Sequence, residues 1–120
     1  AAVLAHLVEQ VITFEWVPEL AERARATFDR LDIRNVRVHA GDGSLGTGGG
    51  ERYEGIIVTA GAPRVPPELR DQLADAGRLV IPLGGRLYQE LTIIRRVGGR
   101  FEEEHREGCV FVPLQGQYGW

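Results

Sequence analysis

Two acidic residues end short apolar runs in separate parts of the chain, and their type and placement suit recognition of a nucleoside. Val11-Ile12-Thr13-Phe14 leads into Glu15, and Val36-Arg37-Val38-His39-Ala40 leads into Gly41-Asp42-Gly43. Open α/β sheets bind ligands beyond the carboxyl ends of their strands. A carboxylate at one strand tip can accept hydrogen bonds from ribose hydroxyls. An aspartate between glycines at the next tip can meet an adenine edge, because glycine lets backbone approach the ring. Singly, Glu15 also reads as a solvated residue before a helix, and Asp42 as a turn former. Jointly, two acids at the same edge of one inferred sheet describe the nucleoside half of a pocket.

The elements that must position these acids follow from periodicity and turn chemistry. Ala1 to Val8 has the Ala- and Leu-rich composition of a helix, with no N-cap residue to open it. Val11 to Phe14 is a short β-type run. Pro18 opens a helix where its missing N–H costs little, and Glu19 and Glu22 complement the dipole of the first turn. Leu20, Ala24, Thr27, Phe28 and Leu31 recur at helical spacing as a core-facing stripe. Val36 to Ala40 is the next strand. Gly55-Ile56-Ile57-Val58 has no polar face and predicts a central parallel strand covered on both sides. Pro66 and Pro67 start a helix expected to run through Leu73 and close at Gly77, and Arg78 to Pro82 is a further strand. Leu87 to Val97, a turn at Gly98-Gly99, and Phe101 to Val112 then predict an antiparallel hairpin. Strand–helix alternation ending in a hairpin makes an α/β domain with a mostly parallel sheet and an antiparallel edge.

Composition bounds the function. The chain has 120 residues, 43% hydrophobic and 26% charged, as expected of one globular domain over residues 1–120. A net charge of −3 and a pI near 5.6 argue against a nucleic-acid partner, which normally meets a basic surface. No apolar stretch approaches the roughly 20 residues that span a bilayer, so no membrane partner is expected. No basic leader with a cleavage pattern opens the sequence. Cys109 is the sole cysteine; it excludes an internal disulfide, fits a reducing cytoplasm, and reads as a packed thiol in an apolar run. His6, His39 and His105 are scattered, without the spacing of a metal site. Glu102-Glu103-Glu104 reads as the solvated part of an edge strand, where charge discourages aggregation. Thr59 falls at the carboxyl end of its strand and serves equally as a ligand contact or a turn residue.

Gly41-Asp42-Gly43-Ser44-Leu45-Gly46 also matches G-x-G-x-x-G. That pattern binds a pyrophosphate only where a helix begins within it. The continuation Thr47-Gly48-Gly49-Gly50 is a poor helix nucleus, so the match is accidental and the glycines are a flexible connection.

The run Val11 to Leu20, then Gly41-Asp42-Gly43, then Ile56 to Pro63 with Val65-Pro66-Pro67, resembles the protein-L-isoaspartate O-methyltransferase family. Gly77 to Gly84 and Phe111-Val112-Pro113-Leu114 extend the resemblance over nearly the whole chain, in the family's order. It implies a Rossmann-like methyltransferase fold, using S-adenosylmethionine to methylate the α-carboxyl of L-isoaspartyl residues in damaged proteins or peptides. The ester then favours succinimide formation and repair. Carried over residue by residue, Glu15 would bind the cofactor ribose with Trp16 against the adenosyl group, and Asp42 and Gly43 would hold the adenine. Trp16 departs from the family's commoner basic or histidine residue. Gln115 would help cover the pocket. The catalytic residue is not assigned.

Methyl transfer from a sulfonium to a carboxylate needs neither metal nor strong base, since the nucleophile is ionised near neutral pH. The demands are in-line positioning and exclusion of water. In the family, a first strand, its glycine-rich loop and a serine-containing segment precede the position of Ala1. That strand lies between those carrying Glu15 and Ile56. The chain is therefore expected to be an N-terminally truncated form with little activity by itself. An N-terminal fragment, or self-association through the exposed sheet edge, would complete it. Two other readings remain open: an NAD-type fragment, because an acid at the second strand tip also suits that ribose, and a non-catalytic module that recruits a partner strand.

Overall fold

The computed structural model describes residues 1–120. The chain divides into two compact units, Ala1–Gly43 and Ser44–Trp120. Each has its own sheet.

The first unit is a helical turn α1 (Ala2–Ala5), strand β1 (Val11–Glu15), helix α2 (Pro18–Arg30) and strand β2 (Val36–Ala40). β1 and β2 pair in parallel from Val11 opposite Val36 to Glu15 opposite Ala40. Pro18 sits in the first turn of α2, as its fixed φ favours, and Val17 before it is extended. The Arg25 guanidinium donates to the Val38 carbonyl at 2.8 Å and to Glu22 at 2.7 Å, tying α2 to β2. Asn35 performs the same service for α1: its amide donates to the carbonyls of Ala5, Val8 and Glu9. α1 is one turn long, where composition predicts helix to Val8. A segment this short gains too little from propensity to propagate unaided. On α2, Ala21 is fully buried while Leu20 and Leu31 of the predicted stripe are exposed. The stripe is thus rotated toward the small residues, which let α2 approach the strand pair.

The second unit holds β3 (Tyr53–Ile57), α3 (Pro67–Asp71), β4 (Leu73–Gly84), β5 (Gln89–Val97) and β6 (Arg100–Cys109), with strand order β3-β4-β5-β6. β3 and β4 are parallel; β4, β5 and β6 are antiparallel. The mixed sheet and the hairpin turn at Gly98-Gly99, both with positive φ, match expectation. Ala62, Leu69, Leu73, Leu79, Ile81 and Ile94 form a buried cluster, flanked by Ile56, Val58, Val65, Leu83 and Leu114. Each buried Leu or Ile contributes about 1.5–3 kcal/mol relative to exposure.

Three expectations are corrected. α3 ends at Asp71, and Leu73 already pairs with Tyr53 in the sheet, so the helix neither reaches Leu73 nor closes at Gly77. Gly77 instead lies inside β4, where a Cβ would stand 2.7 Å from the Ala74 carbonyl oxygen. Two steps along β3, from Tyr53 to Gly55, face five along β4, from Leu73 to Arg78, and the surplus bulges at Ala76, whose φ is 63°. The run Gly55 to Val58 is an edge strand within its sheet, with Ile57 exposed, rather than a strand covered on both sides. Cys109 is partly buried at the end of β6 rather than packed in the core.

Candidate functional site

The β1–β2 register decides where the two acids stand. Glu15 closes β1 directly opposite Ala40, the last residue of β2. The Gly41 N–H donates to the Glu15 carbonyl at 2.9 Å, carrying the ladder one step further. Asp42 follows immediately. Both acids therefore occupy the carboxyl edge of one parallel pair.

Glu15 is partly buried, and its Oε1 accepts the Val17 N–H at 3.1 Å. That bond orients the carboxylate at the start of α2. Trp16, next in the chain after Glu15, is half exposed. The two glycines around Asp42 differ in purpose. Gly41 has a φ of 154°, which disfavours side chains, and nothing lies within 4 Å of where its Cβ would be. It leaves an open cradle beside the strand tip. At Gly43 a Cβ would lie 3.0 Å from Phe14 Cβ, so glycine there allows close packing.

Phe14 and His39, neighbours across the ladder, stack with ring centroids 5.3 Å apart and 25° between planes. This pair supports both strand tips, and sequence reasoning passed over it. Its signal was available: the two rings occupy matching positions near the ends of the two apolar runs. The segment Gly43–Leu45 forms one turn of 3-10 helix, too short to present the helix N-terminus that a pyrophosphate fingerprint needs.

The motifs of the second unit converge on Gly61. Its N–H donates to the Val112 carbonyl at 2.8 Å, and its carbonyl accepts Leu114 N–H at 2.8 Å and Trp120 Nε1–H at 3.1 Å. Gln89, 1% exposed, accepts the Phe111 N–H at 2.7 Å and donates to the Gly85 carbonyl at 2.6 Å. A Cβ on Gly61 would lie 2.7 Å from its side-chain carbon, so glycine is required there. The fully buried Ser44 hydroxyl accepts the Tyr118 N–H at 3.2 Å. The Tyr118 hydroxyl donates to Glu68 at 2.7 Å, and that bond holds the phenol's pKa above its ordinary value. Gln89, Ser44 and Trp120 were not singled out by sequence reasoning. Thr59 and Gln115 are both exposed.

A match to the protein-L-isoaspartate(D-aspartate) O-methyltransferase family runs over residues 1–119. The chain belongs to this family. Relatives of that name include one from Methanoregula boonei, 47% identical over 120 residues, covering all of this chain and 55% of the relative. Another, from Magnetococcus marinus, is 48% identical, covering 99% of this chain and 53% of the relative. The chain thus spans about half the length of the curated relatives it matches. Among solved structures, a protein-L-isoaspartate O-methyltransferase superposes with a TM-score of 0.83 at 27% identity, over 92% of this chain and 35% of that one. A second is a putative enzyme of that name from Plasmodium falciparum, solved in complex with S-adenosyl-L-homocysteine. It gives a TM-score of 0.77 at 25% identity, over 88% of this chain and 52% of that one. The fold is the Rossmann-like fold of these methyltransferases, here as a two-stranded parallel sheet and a four-stranded mixed sheet.

Proposed function

We propose that this methyltransferase-family chain holds the nucleoside half of S-adenosylmethionine and serves methyl transfer to the α-carboxyl of L-isoaspartyl residues in damaged proteins or peptides. One observation carries the reading: Glu15 and Asp42 stand at the same carboxyl edge of the β1–β2 pair, and nothing lies within 4 Å of where a Cβ on Gly41 would be. The donor set fits the group. Glu15, with one oxygen on the Val17 N–H, has a second oxygen to accept ribose hydroxyls. Asp42 and the backbone of Gly43 suit the adenine edge, and the half-exposed Trp16 offers a face to the adenosyl ring.

The cofactor, when bound, supplies an electrophilic methyl group on a sulfonium. What the chain contributes is orientation: a carboxylate fixed by backbone at one tip, and an aspartate flanked by glycines at the other. The acceptor carboxylate is already ionised near neutral pH, so no side chain need act as a base.

The test is calorimetric titration of S-adenosyl-L-homocysteine into the protein, with NADH as the competing probe. Asp42→Ala should weaken binding by about ten- to a hundredfold, the value of a hydrogen bond to a charged group. Glu15→Gln, which keeps an acceptor but loses the charge, should weaken it about tenfold or less. Equal affinity in wild type and both variants would overturn the assignment, and preference for NADH would move the chain to the dinucleotide reading.

A further inference from the structure

At the amino ends of β3 and β4, opposite the strand tips that carry Thr59, two arginines converge on one pair of carbonyls. Arg52 Nη1 donates to the carbonyls of Asp71 and Leu73 at 3.2 and 3.3 Å. Arg96 Nη1 donates to the same two oxygens at 3.3 and 3.0 Å. The two guanidiniums are therefore within two hydrogen-bond lengths of each other. Neither is paired with a carboxylate, and the hydrogen bonds that both make to protein use Nη1 alone. Arg96 is braced further by the Phe101 ring, 5.4 Å from its guanidinium carbon; Arg70 lies 4.9 Å from the same ring and is bridged to Asp71.

Both arginines line an open cleft of about 400 Å³, with Asp75, Gly98 and Gly99 as the remaining wall. The glycines form the β5–β6 turn with positive φ, and nothing lies within 4 Å of where their Cβ atoms would be. Asp75 Oδ1 accepts the Gly98 N–H at 3.1 Å, which fixes the turn against the cleft. The cleft thus holds two guanidiniums against one carboxylate.

A purely structural role explains part of this. Arginine side chains commonly satisfy the last carbonyls of a helix, and α3 ends at Asp71. One arginine suffices for that. Two of like charge on the same oxygens repel each other modestly in water, by less than about 1 kcal/mol, and an anion held between them would turn that repulsion into attraction. Guanidinium forks match oxyanions bidentately, and a paired set matches a tetrahedral dianion. We propose that the Arg52–Arg96 cleft binds phosphate, either free or as a small phosphomonoester. The cleft is of the size that small-molecule sites occupy, and none of its lining residues belongs to the proposed nucleoside site.

The experiment follows thermal unfolding of the protein against inorganic phosphate and, separately, phenyl phosphate, at constant ionic strength. A ligand that binds only the folded state raises the melting temperature saturably. Arg96→Gln and Arg52→Gln should each raise the phosphate concentration needed by about tenfold or more. Asp75→Asn keeps the acceptor for Gly98 and removes the opposing charge, so it should lower that concentration by about threefold. Tighter binding of phenyl phosphate assigns the site to a phosphomonoester, and tighter binding of inorganic phosphate assigns it to the free ion. Either supports the proposal. A rise that does not saturate, or one identical in wild type, Arg96→Gln and Asp75→Asn, overturns it.

Discussion

Ala1–Gly43 buries Val11 and Ala21 beneath a two-stranded sheet, whereas Ser44–Trp120 buries six apolar side chains against a four-stranded one. The residues proposed for nucleoside binding, Glu15, Trp16, Asp42 and Gly43, all belong to the first. The second contributes density: Leu73, Leu79 and Ile81 are completely shielded from water. The contrast separates two properties that are often mixed in mutational data. Ligand recognition is written into a thin layer of backbone and short side chains, and resistance to unfolding into a packed cluster elsewhere in the chain. Substitutions in the two units should accordingly report different things.

The largest expected effect is in the packed cluster. Leu79→Ala should cost about 2–5 kcal/mol in denaturant unfolding, because it removes a fully buried side chain and leaves a cavity. Val11→Ala, the corresponding change in the first unit, should cost only about 1.5 kcal/mol for two methyl-sized groups. Equal losses would break the contrast.

Next comes Gly43→Ala, where the new methyl meets Phe14 Cβ at 3.0 Å. A cost of about 1–3 kcal/mol is expected from overpacking. It should be accompanied by altered ring shifts of Phe14 and His39 in proton spectra. Undisturbed ring shifts would mean that Gly43 serves the ligand and not the stack.

The smallest effect concerns Tyr53, whose hydroxyl donates to Glu51 at 2.6 Å. Burial, and then that hydrogen bond, raise the phenol's pKa above 10.0. Its neutral form is therefore favoured by folding. The resulting stability is fully present below about pH 10 and is lost as pH climbs through the raised value. Tyr53→Phe should lower the neutral region of a melting-temperature profile slightly and flatten its alkaline side, because the contribution it removes is present only below the raised value. A profile as steep as wild type would remove Tyr53 from the account.

The parts of the fold legible in the sequence are those where local chemistry and tertiary context agree. Pro18 with Glu19 announced α2, Gly98-Gly99 announced the hairpin, and two apolar runs ending in acids announced β1 and β2. The errors arose where context overrode pattern. Pro66-Pro67 correctly opened α3, but pairing of Leu73 with Tyr53 claimed the chain for the sheet before the helix could continue. Ile56-Ile57 carries no mark of how many neighbours its strand has. That Glu15 and Asp42 fall at the carboxyl ends of β1 and β2 was readable because strand tips have a recognisable punctuation. Gln89, Ser44 and Trp120 were not, since each acts through hydrogen bonds to residues distant in sequence, such as Ser44 with Tyr118. No local spacing encodes such partners.

The four-stranded sheet has two unlike borders. β6 carries Glu102, Glu103 and Glu107, all exposed. A second strand laid along it would confront a row of carboxylates. β3, at the other border, exposes one carboxylate, Glu54, beside Gly55 and Ile57. Addition of a strand to this sheet is therefore opposed by charge more strongly along β6 than along β3.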